Sequence, residues 1–288
     1  MTSLTIWAQV FVNGLALSAI YILIALGFTL LFGIMRVVNF AHGEFAMLGG
    51  FSLYYLYGKL NIPWVAAVPL AALLVAAVSL VLERLVFQWF YQRMFQSMIG
   101  LMGLSMVLMF SSLLVWDAYE RNVPSPFSSI IEVGDVVLPT DRLVVIVVAA
   151  IALLLFYLFM HYSRYGLSMR AAAIDLEVAQ AQGIETTRIY KLAFFIAIFM
   201  TALAGGLYTQ TYVLSPLVGE RPLMIAFIVV VLGGMGSIPG AALGGLILGF
   251  VESFLGTFYG AAVSAFVSFG VVLALIIFRP WGLLGKPE

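Results

Sequence analysis

Asn39, His42 and Glu44 form the densest polar group inside an otherwise apolar stretch of this chain. An amide, an imidazole and a carboxylate at that spacing could line a route for a polar solute, relay protons, or cap the start of a helix. Ionisable side chains within an apolar segment point to a pathway by default, because leaving them in lipid is costly. A plainer reading is also open: Arg36 precedes the group, which could cap a helix and pair locally with that arginine. Glu252 poses a similar choice, either facing a pathway or holding two helices together. Glu83 and Arg84 read as interfacial.

Other chemistry is missing. The chain has two histidines, His42 and His161, and no cysteine, which leaves no H-E-x-x-H pair, thiolate ligand or disulfide. No phosphate-binding G-x-x-x-x-G-K-[ST] loop occurs, since Gly58-Lys59 runs into Leu60 and Gly285-Lys286 into Pro287. No G-x-S-x-G elbow is present either. We therefore expect no catalytic residue, metal site or cofactor. If ATP drives transport here, its hydrolysis must lie on a separate subunit.

The elements that hold these residues are membrane helices. Of 288 residues, 64% are hydrophobic and 9% charged, with a mean hydropathy of +1.15; a soluble domain has roughly 45–50% apolar and about 25% charged. Thirteen basic residues against thirteen acidic ones leave no excess to attract nucleic acid. A soluble enzyme and a disordered chain are disfavoured as well. Uncharged runs at 1–35, 60–82, 94–116, 143–160, 192–219, 222–251 and 253–278 match the roughly 20 residues that a helix needs to cross hydrocarbon. The segment 37–58 is an eighth candidate. These runs are too long for barrel strands, and the first lacks the basic start and cleavage site of a signal peptide, so it reads as a retained span.

Gly233-Gly234-Met235-Gly236-Ser237-Ile238-Pro239-Gly240 is a poor helix interior and divides 222–251 into about 222–234 and 239–256. A second irregular stretch covers Arg36 to Phe45 and precedes Gly49-Gly50. The fold class is thus an all-α integral membrane protein with about eight to nine transmembrane helices, two of them glycine-interrupted or broken. Paired interruptions in the two halves of a chain point to a transporter's central pathway. Gly236, Gly240 and Gly244, then Gly245 with Gly249 and Gly256 with Gly260, also suit close helix packing.

Arg36, Arg84, Arg93, Arg164, Arg170, Arg188, Lys191, Arg279 and Lys286 fall on one side with nine spans, leaving Lys59, Arg121, Arg142 and Arg221 on the other. The positive-inside rule makes the first side cytoplasmic. Segment 117–142, with five acidic residues including Asp135, is then external, either a solvated connection or a docking surface. Segment 161–191 is cytoplasmic. Its stretch from Arg170 to Gln182 reads as one helix with Ile174, Val178 and Ala181 on an apolar stripe. Gly183 would end it with a left-handed cap, and Thr186 or Thr187 would cap the next helix. Mixed charges favour docking to a protein over a lipid surface.

At these residues the chain resembles the branched-chain amino-acid ABC transporter permease family of the LivH type. The blocks are Ala25-Leu-Gly-Phe-Thr-Leu-Leu-Phe-Gly33, Asn39-Phe-Ala-His-Gly-Glu44 with Met47-Leu-Gly49, Val231-Leu-Gly-Gly-Met-Gly-Ser-Ile-Pro-Gly240 and Arg279-Pro-Trp-Gly-Leu283. Glu177, Ala179 and Gly183 match the E-A-A-x-x-x-G spacing of ABC permeases, with Val178 in place of the middle alanine. The resemblance implies one transmembrane permease domain over 1–288, multi-pass in a bacterial inner (plasma) membrane. It also implies a second permease, identical or different, two cytoplasmic ATPases and a periplasmic substrate-binding protein.

On that basis Glu177, Ala179, Gly183 and Ile184 would couple the 161–191 loop to the ATPases. Asn39, His42, Glu44, Gly233, Gly234, Gly236 and Ser237 would line the pathway. The 117–142 loop, or the short Ser215–Pro222 connection, would face the binding protein. Branched-chain amino acids are the expected cargo, with urea or short amides as the alternative. An ion-coupled secondary transporter is the competing class, for which only Glu44 and Glu252 are available as buried carboxylates. Gly183→Asp is expected to abolish substrate-stimulated ATP hydrolysis in the reconstituted complex while membrane insertion is retained; normal coupling would refute the role of this turn.

Overall fold

The computed structural model describes residues 3–127, 129–133, 136–279 and 281–285. Asp135 of the acidic segment, Pro280 of the closing motif and Lys286 of the basic tail lie outside the described residues. Helix α1, Ser3–Met35, is apolar on every side, and such a helix belongs in the interior of a bundle. It packs most extensively along α10 (Ile238–Tyr259) and then along α8 (Thr186–Tyr208). Around α8 lie α2 (His42–Leu53) and α3 (Trp64–Leu85). Helices α4 (Met94–Trp116) and α5 (Thr140–Tyr162) stand at the periphery, with large apolar side chains such as Ile99, Leu114, Leu154 and Leu155 exposed. That exposure suits lipid, whose tails are as apolar as leucine.

Among the described residues, six helices (α1, α3, α4, α5, α8 and α10) are long and apolar enough to cross a membrane alone. The expected eight or nine spans therefore rest on shorter elements as well: α2, continued by a π-helical segment Tyr54–Lys59, α9 (Glu220–Gly233) and α11 (Ala261–Phe278). The break between α9 and α10 falls where the glycine block predicted it. Helix α8, in contrast, ends at Tyr208, well inside the uncharged run 192–219. Segment 117–142 contains an antiparallel hairpin, β1 (Ile130–Val133) and β2 (Val136–Pro139), with Ile130 opposite Pro139. Arg121 in the same segment pairs with Leu214 through two backbone bonds of 2.8 and 2.9 Å.

Small residues let the central helices approach. Alpha carbons of α2 and α8 come so close that a Cβ on Gly205 would collide with the carbonyl of Ala46, and one on Gly49 with that of Ala202. Gly249 meets Ser18 of α1 in the same way, and Gly240 meets Gly233. Gly256 and Gly260 do not share this role, contrary to their spacing. Nothing lies within 4 Å of a Cβ at either position, and Gly260 instead turns the chain from α10 into α11 at φ 88°.

Segment 161–191 departs from the single helix its pattern suggested. It forms α6 (Arg164–Ile174) and α7 (Leu176–Ala181), separated by Asp175 in extended conformation. Asp175 accepts a 3.0 Å bond from the Val178 amide and so opens a new helix as its N-cap, a local preference of Asp that overrides helical periodicity. The apolar stripe is consequently broken: Ile174 and Val178 are exposed, whereas Met169, Ala172 and Ala179 are buried. Neither Thr186 nor Thr187 caps α8. Glu185 holds the cap position without a side-chain cap bond and pairs with Arg188 at 2.8 Å, while the Thr186 hydroxyl accepts from Gln180.

Gly205→Ala should lower the thermal stability of the purified permease by the equivalent of about 1–3 kcal/mol, the usual cost of overpacking. Gly103→Ala, where a Cβ meets nothing within 4 Å, should leave the melting temperature unchanged. Equal melting of the two variants would contradict the close α2–α8 approach.

Candidate functional site

The backbone between α1 and α2 sets the site. Helix α1 stops at Met35, Arg36 turns the chain at φ 52°, and residues 36–41 run without regular structure until α2 begins at His42. His42 Nε2 lies 2.9 Å from the Ile24 carbonyl, roughly three turns back along α1. The segment after Arg36 has therefore climbed back beside α1, and α2 starts within the bundle rather than at its end. From there α2 runs parallel to α8, with His42 against Thr201 (3.0 Å) and Gly50 against Thr209.

Helix α9 starts at the same depth from the opposite direction. Gly219, its N-cap residue, presses its carbonyl against the alpha carbon of Gly43. At its other end the turn after α9 brings Gly236 against Gly33, near the end of α1. Two half-helices thus begin side by side and run to opposite ends of the molecule. Each carries an acidic residue in its first turn, Glu44 and Glu220, where the helix dipole favours negative charge. Both Glu44 oxygens stand 3.0 Å from where a Cβ on Gly219 would be, and one accepts a 3.2 Å bond from Ser105 of α4.

The three polar residues found in the sequence sit together and are almost wholly buried. Asn39 Oδ1 accepts from the Ala41 amide at 3.0 Å, an Asx turn that shapes the entry into α2. The Ile24 carbonyl can only accept, so the His42 proton it meets is on Nε2, and the Thr201 hydroxyl donates onward to the Ala197 carbonyl at 2.7 Å. Asn39 Nδ2, His42 Nδ1 and Glu44 Oε2 are buried with no hydrogen-bond partner in the structure. Buried polar atoms are nearly always paired, so three orphans in one cluster mark a place equipped for a polar guest. Among the described residues Arg36 forms no bond with this group, so the local pairing considered from sequence is not what the chain adopts.

The glycine turn occupies a different place, about 21 Å along α9 from Glu44 at 1.5 Å per residue. Gly233 and Gly234 are buried, and Gly234 takes φ 105°. Leu283 and Leu284 donate to the Leu232 and Gly233 carbonyls at 2.9 and 3.0 Å, so the closing segment 281–285 caps α9. Ser237 caps α10 by accepting from Gly240 at 3.1 Å, and Gly236 lies beside it, exposed on one side and against Gly33 on the other. The four residues named from sequence at this turn are brought together, but not onto Asn39, His42 and Glu44.

The coupling candidates form a compact corner. Gly183, at φ 81°, donates to Gln180, and Ile184 donates to Ala179 at 3.1 Å, the paired bonds of a Schellman cap. Glu177 is exposed and Ala179 buried. A cleft of about 450 Å³ separates α6 and α7 from the end of α1, with Gly33, Arg36, Gln92, Ala172, Asp175 and Glu177 on its walls. Gln92 is a residue that sequence reasoning missed. Its amide and side chain donate to the Met35 and Ile34 carbonyls and to Tyr190, capping α1 from 58 residues away. Beside it Tyr91 donates to Glu83, and burial together with that carboxylate pushes the Tyr91 phenol well above its ordinary range.

Thr201, Ser105 and Gly219 were likewise missed, because small polar residues and glycine in apolar runs carry no pattern of their own. Glu252 joins helices, accepting from Tyr21 of α1 at 2.5 Å and pairing with Arg221 of α9, and it also faces open space.

A polytopic helix bundle with two half-helices meeting at a buried polar cluster is the architecture of a membrane transport protein. The family model for the permease component of branched-chain amino acid transport systems matches residues 10–277. The high-affinity branched-chain amino acid transport system permease protein LivH of Salmonella typhimurium is 35% identical over 96% of this chain and 94% of its own length. The permease protein BraD of Pseudomonas aeruginosa, named for a system of the same kind, is 33% identical over 98% and 97%. A probable branched-chain amino acid transport permease protein of Methanocaldococcus jannaschii is 24% identical over 93% and 89%. The chain belongs to the branched-chain amino acid transport permease family. It is a multi-pass inner-membrane permease subunit of an ABC importer, it works with other transporter subunits, and ATP hydrolysis lies on those.

Ser105→Ala removes a donor to a buried carboxylate and should cost about 1–3 kcal/mol of stability. In a Glu44→Gln background the same change should cost roughly half as much, since neutral bonds are weaker than charge-assisted ones. Equal losses in a double-mutant cycle of melting temperatures would show that Ser105 does not serve a charged Glu44.

Proposed function

We propose that this permease carries aliphatic, branched-chain amino acids inward, with Asn39, His42 and Glu44 on the pathway and the Gly233, Gly234, Gly236 and Ser237 turn at its inner end. The observation that carries the reading is the meeting of α2 and α9, with Glu44 against Gly219. Irregular backbone at membrane depth is tolerated only where it is buried in protein or lines a cavity, and broken helices of this sort form substrate sites in transporters. The names of the relatives supply the cargo class.

In this reading the Arg36 end faces the cytoplasm. Two ATPases dock on the 161–191 loop through Glu177, Ala179, Gly183 and Ile184. A second permease, identical or different, completes the pathway, and a periplasmic substrate-binding protein meets the 117–142 segment or residues 215–222. The corner at Asp175 supports a route for the stroke. Helix α6 touches α1 and, with α7, faces its end across the cleft, and the next residues along the chain are 36–41, which lead to Glu44. A displacement of the corner is thereby delivered to the start of α2.

Reconstitution of the permease with its partner subunits in proteoliposomes tests this. Leucine, isoleucine and valine should accumulate only with ATP and the binding protein present, and urea or acetamide should not. Uptake of urea in place of leucine would reassign the cargo, and uptake without the ATPases would overturn the mechanism.

A further inference from the structure

The ion pair between Arg221 and Glu252 divides two cavities. One, of about 320 Å³, is polar and reaches toward the ends of α1 and α10 through Asn13, Arg142, Thr211 and Thr257. The other, of about 620 Å³, extends along α9 and α11 and is walled by Ile225, Ile228, Leu248 and Phe269. Arg221, Glu252 and Tyr212 line both. Such volumes suit a small-molecule ligand. The second cavity also presents Ser268, 6% exposed, whose hydroxyl has no partner.

The groups around the pair are arranged as a receptor for opposite charges. Arg221 stacks over the Tyr212 ring at 4.6 Å, and Tyr208 stacks on Tyr212 at 4.3 Å. Tyr21, fully buried, donates to Glu252. Arg142 and Arg221 are balanced by Glu220 and Glu252 across the two linings. A site with both signs and no net charge suits a neutral dipolar ligand better than an ion. The guanidinium fork matches a carboxylate, the Glu252 carboxylate matches an ammonium, and the apolar wall is continuous with both.

We propose that Arg221 and Glu252 receive the two charged ends of an aliphatic α-amino acid, whose side chain enters the 620 Å³ cavity between α9 and α11. The ligand takes over the bonds the pair makes to itself, so the polar cavity is the approach and the ion pair the threshold. This rests on the cargo class proposed above and assigns that cargo a station distinct from the Glu44 cluster.

The test uses the complete complex in proteoliposomes, following radiolabelled leucine and valine uptake and, separately, the subunit composition of the purified complex. Arg221→Ala and the charge-exchanged Arg221→Glu/Glu252→Arg should each lower leucine uptake at least about tenfold, the scale of a lost charge-assisted bond, in complexes that keep all their subunits. Ala265→Leu narrows the cavity without touching the ion pair and should lower the leucine-to-valine uptake ratio. Restored uptake in the exchanged variant would make the pair a helix tie only and refute the station. Where the Arg221 variants fail to assemble, an unchanged leucine-to-valine ratio in Ala265→Leu overturns it. Wild-type leucine uptake is the control for the cargo class: without it both proposals fall, and with it but unaffected variants only the station falls.

Discussion

A helix that stops inside a lipid-embedded bundle strands backbone groups that no water can reach, up to four at each end. The whole arrangement depends on how this chain meets that constraint at its two breaks. Gln92 supplies donors to the end of α1. Ser97 accepts from the Val38 amide at 3.1 Å, and Asn39 from Ala41. Residues 283 and 284 supply donors to the end of α9, and Ser237 receives the start of α10. Only with these partners in place can α2 and α9 begin at mid-bundle, and only then do Asn39, His42 and Glu44 share one buried site.

Packing answers a second demand of the same environment. Lipid gives no hydrophobic drive between helices, so contact must come from close fit. The small residues at Ala46, Gly49, Gly205 and Gly249 let α2 seat on α8 and α10 on α1 at backbone contact. The bundle is consequently rigid around α1 and α8 and sparse around α4 and α5.

Local signals carried much of this into the sequence. The glycine block announced the α9–α10 break, Asn39 and its neighbours the start of α2, and Gly183 its left-handed turn, because each works through its own backbone. What escaped were effects that join distant parts of the chain or that compete within it. Asp175 splits a helix whose periodicity ran straight through it, since one side-chain cap outweighs a stripe that has no partner to pack on. Gly219 beside Glu44, Thr201 beside His42 and Gln92 beneath Met35 each depend on a neighbour brought in by tertiary packing. Arg221 and Glu252 were visible singly, but nothing in their spacing paired them with each other or with Tyr21.

Helix α1 has 33 residues, about 50 Å at 1.5 Å per residue, against a hydrocarbon core of roughly 30 Å. A rod of that length must lean or protrude. Its first turns carry an aromatic collar, with Trp7 against Phe254 and Phe258 and Phe11 against Phe250. Packing and these interfacial rings then set the lean within what the bilayer allows, and the lean is shared by α10, which is bound to α1 along its length. The permease is in this way mechanically matched to the thickness of its membrane, and a thicker or thinner bilayer would re-aim the axis on which both breaks are hung.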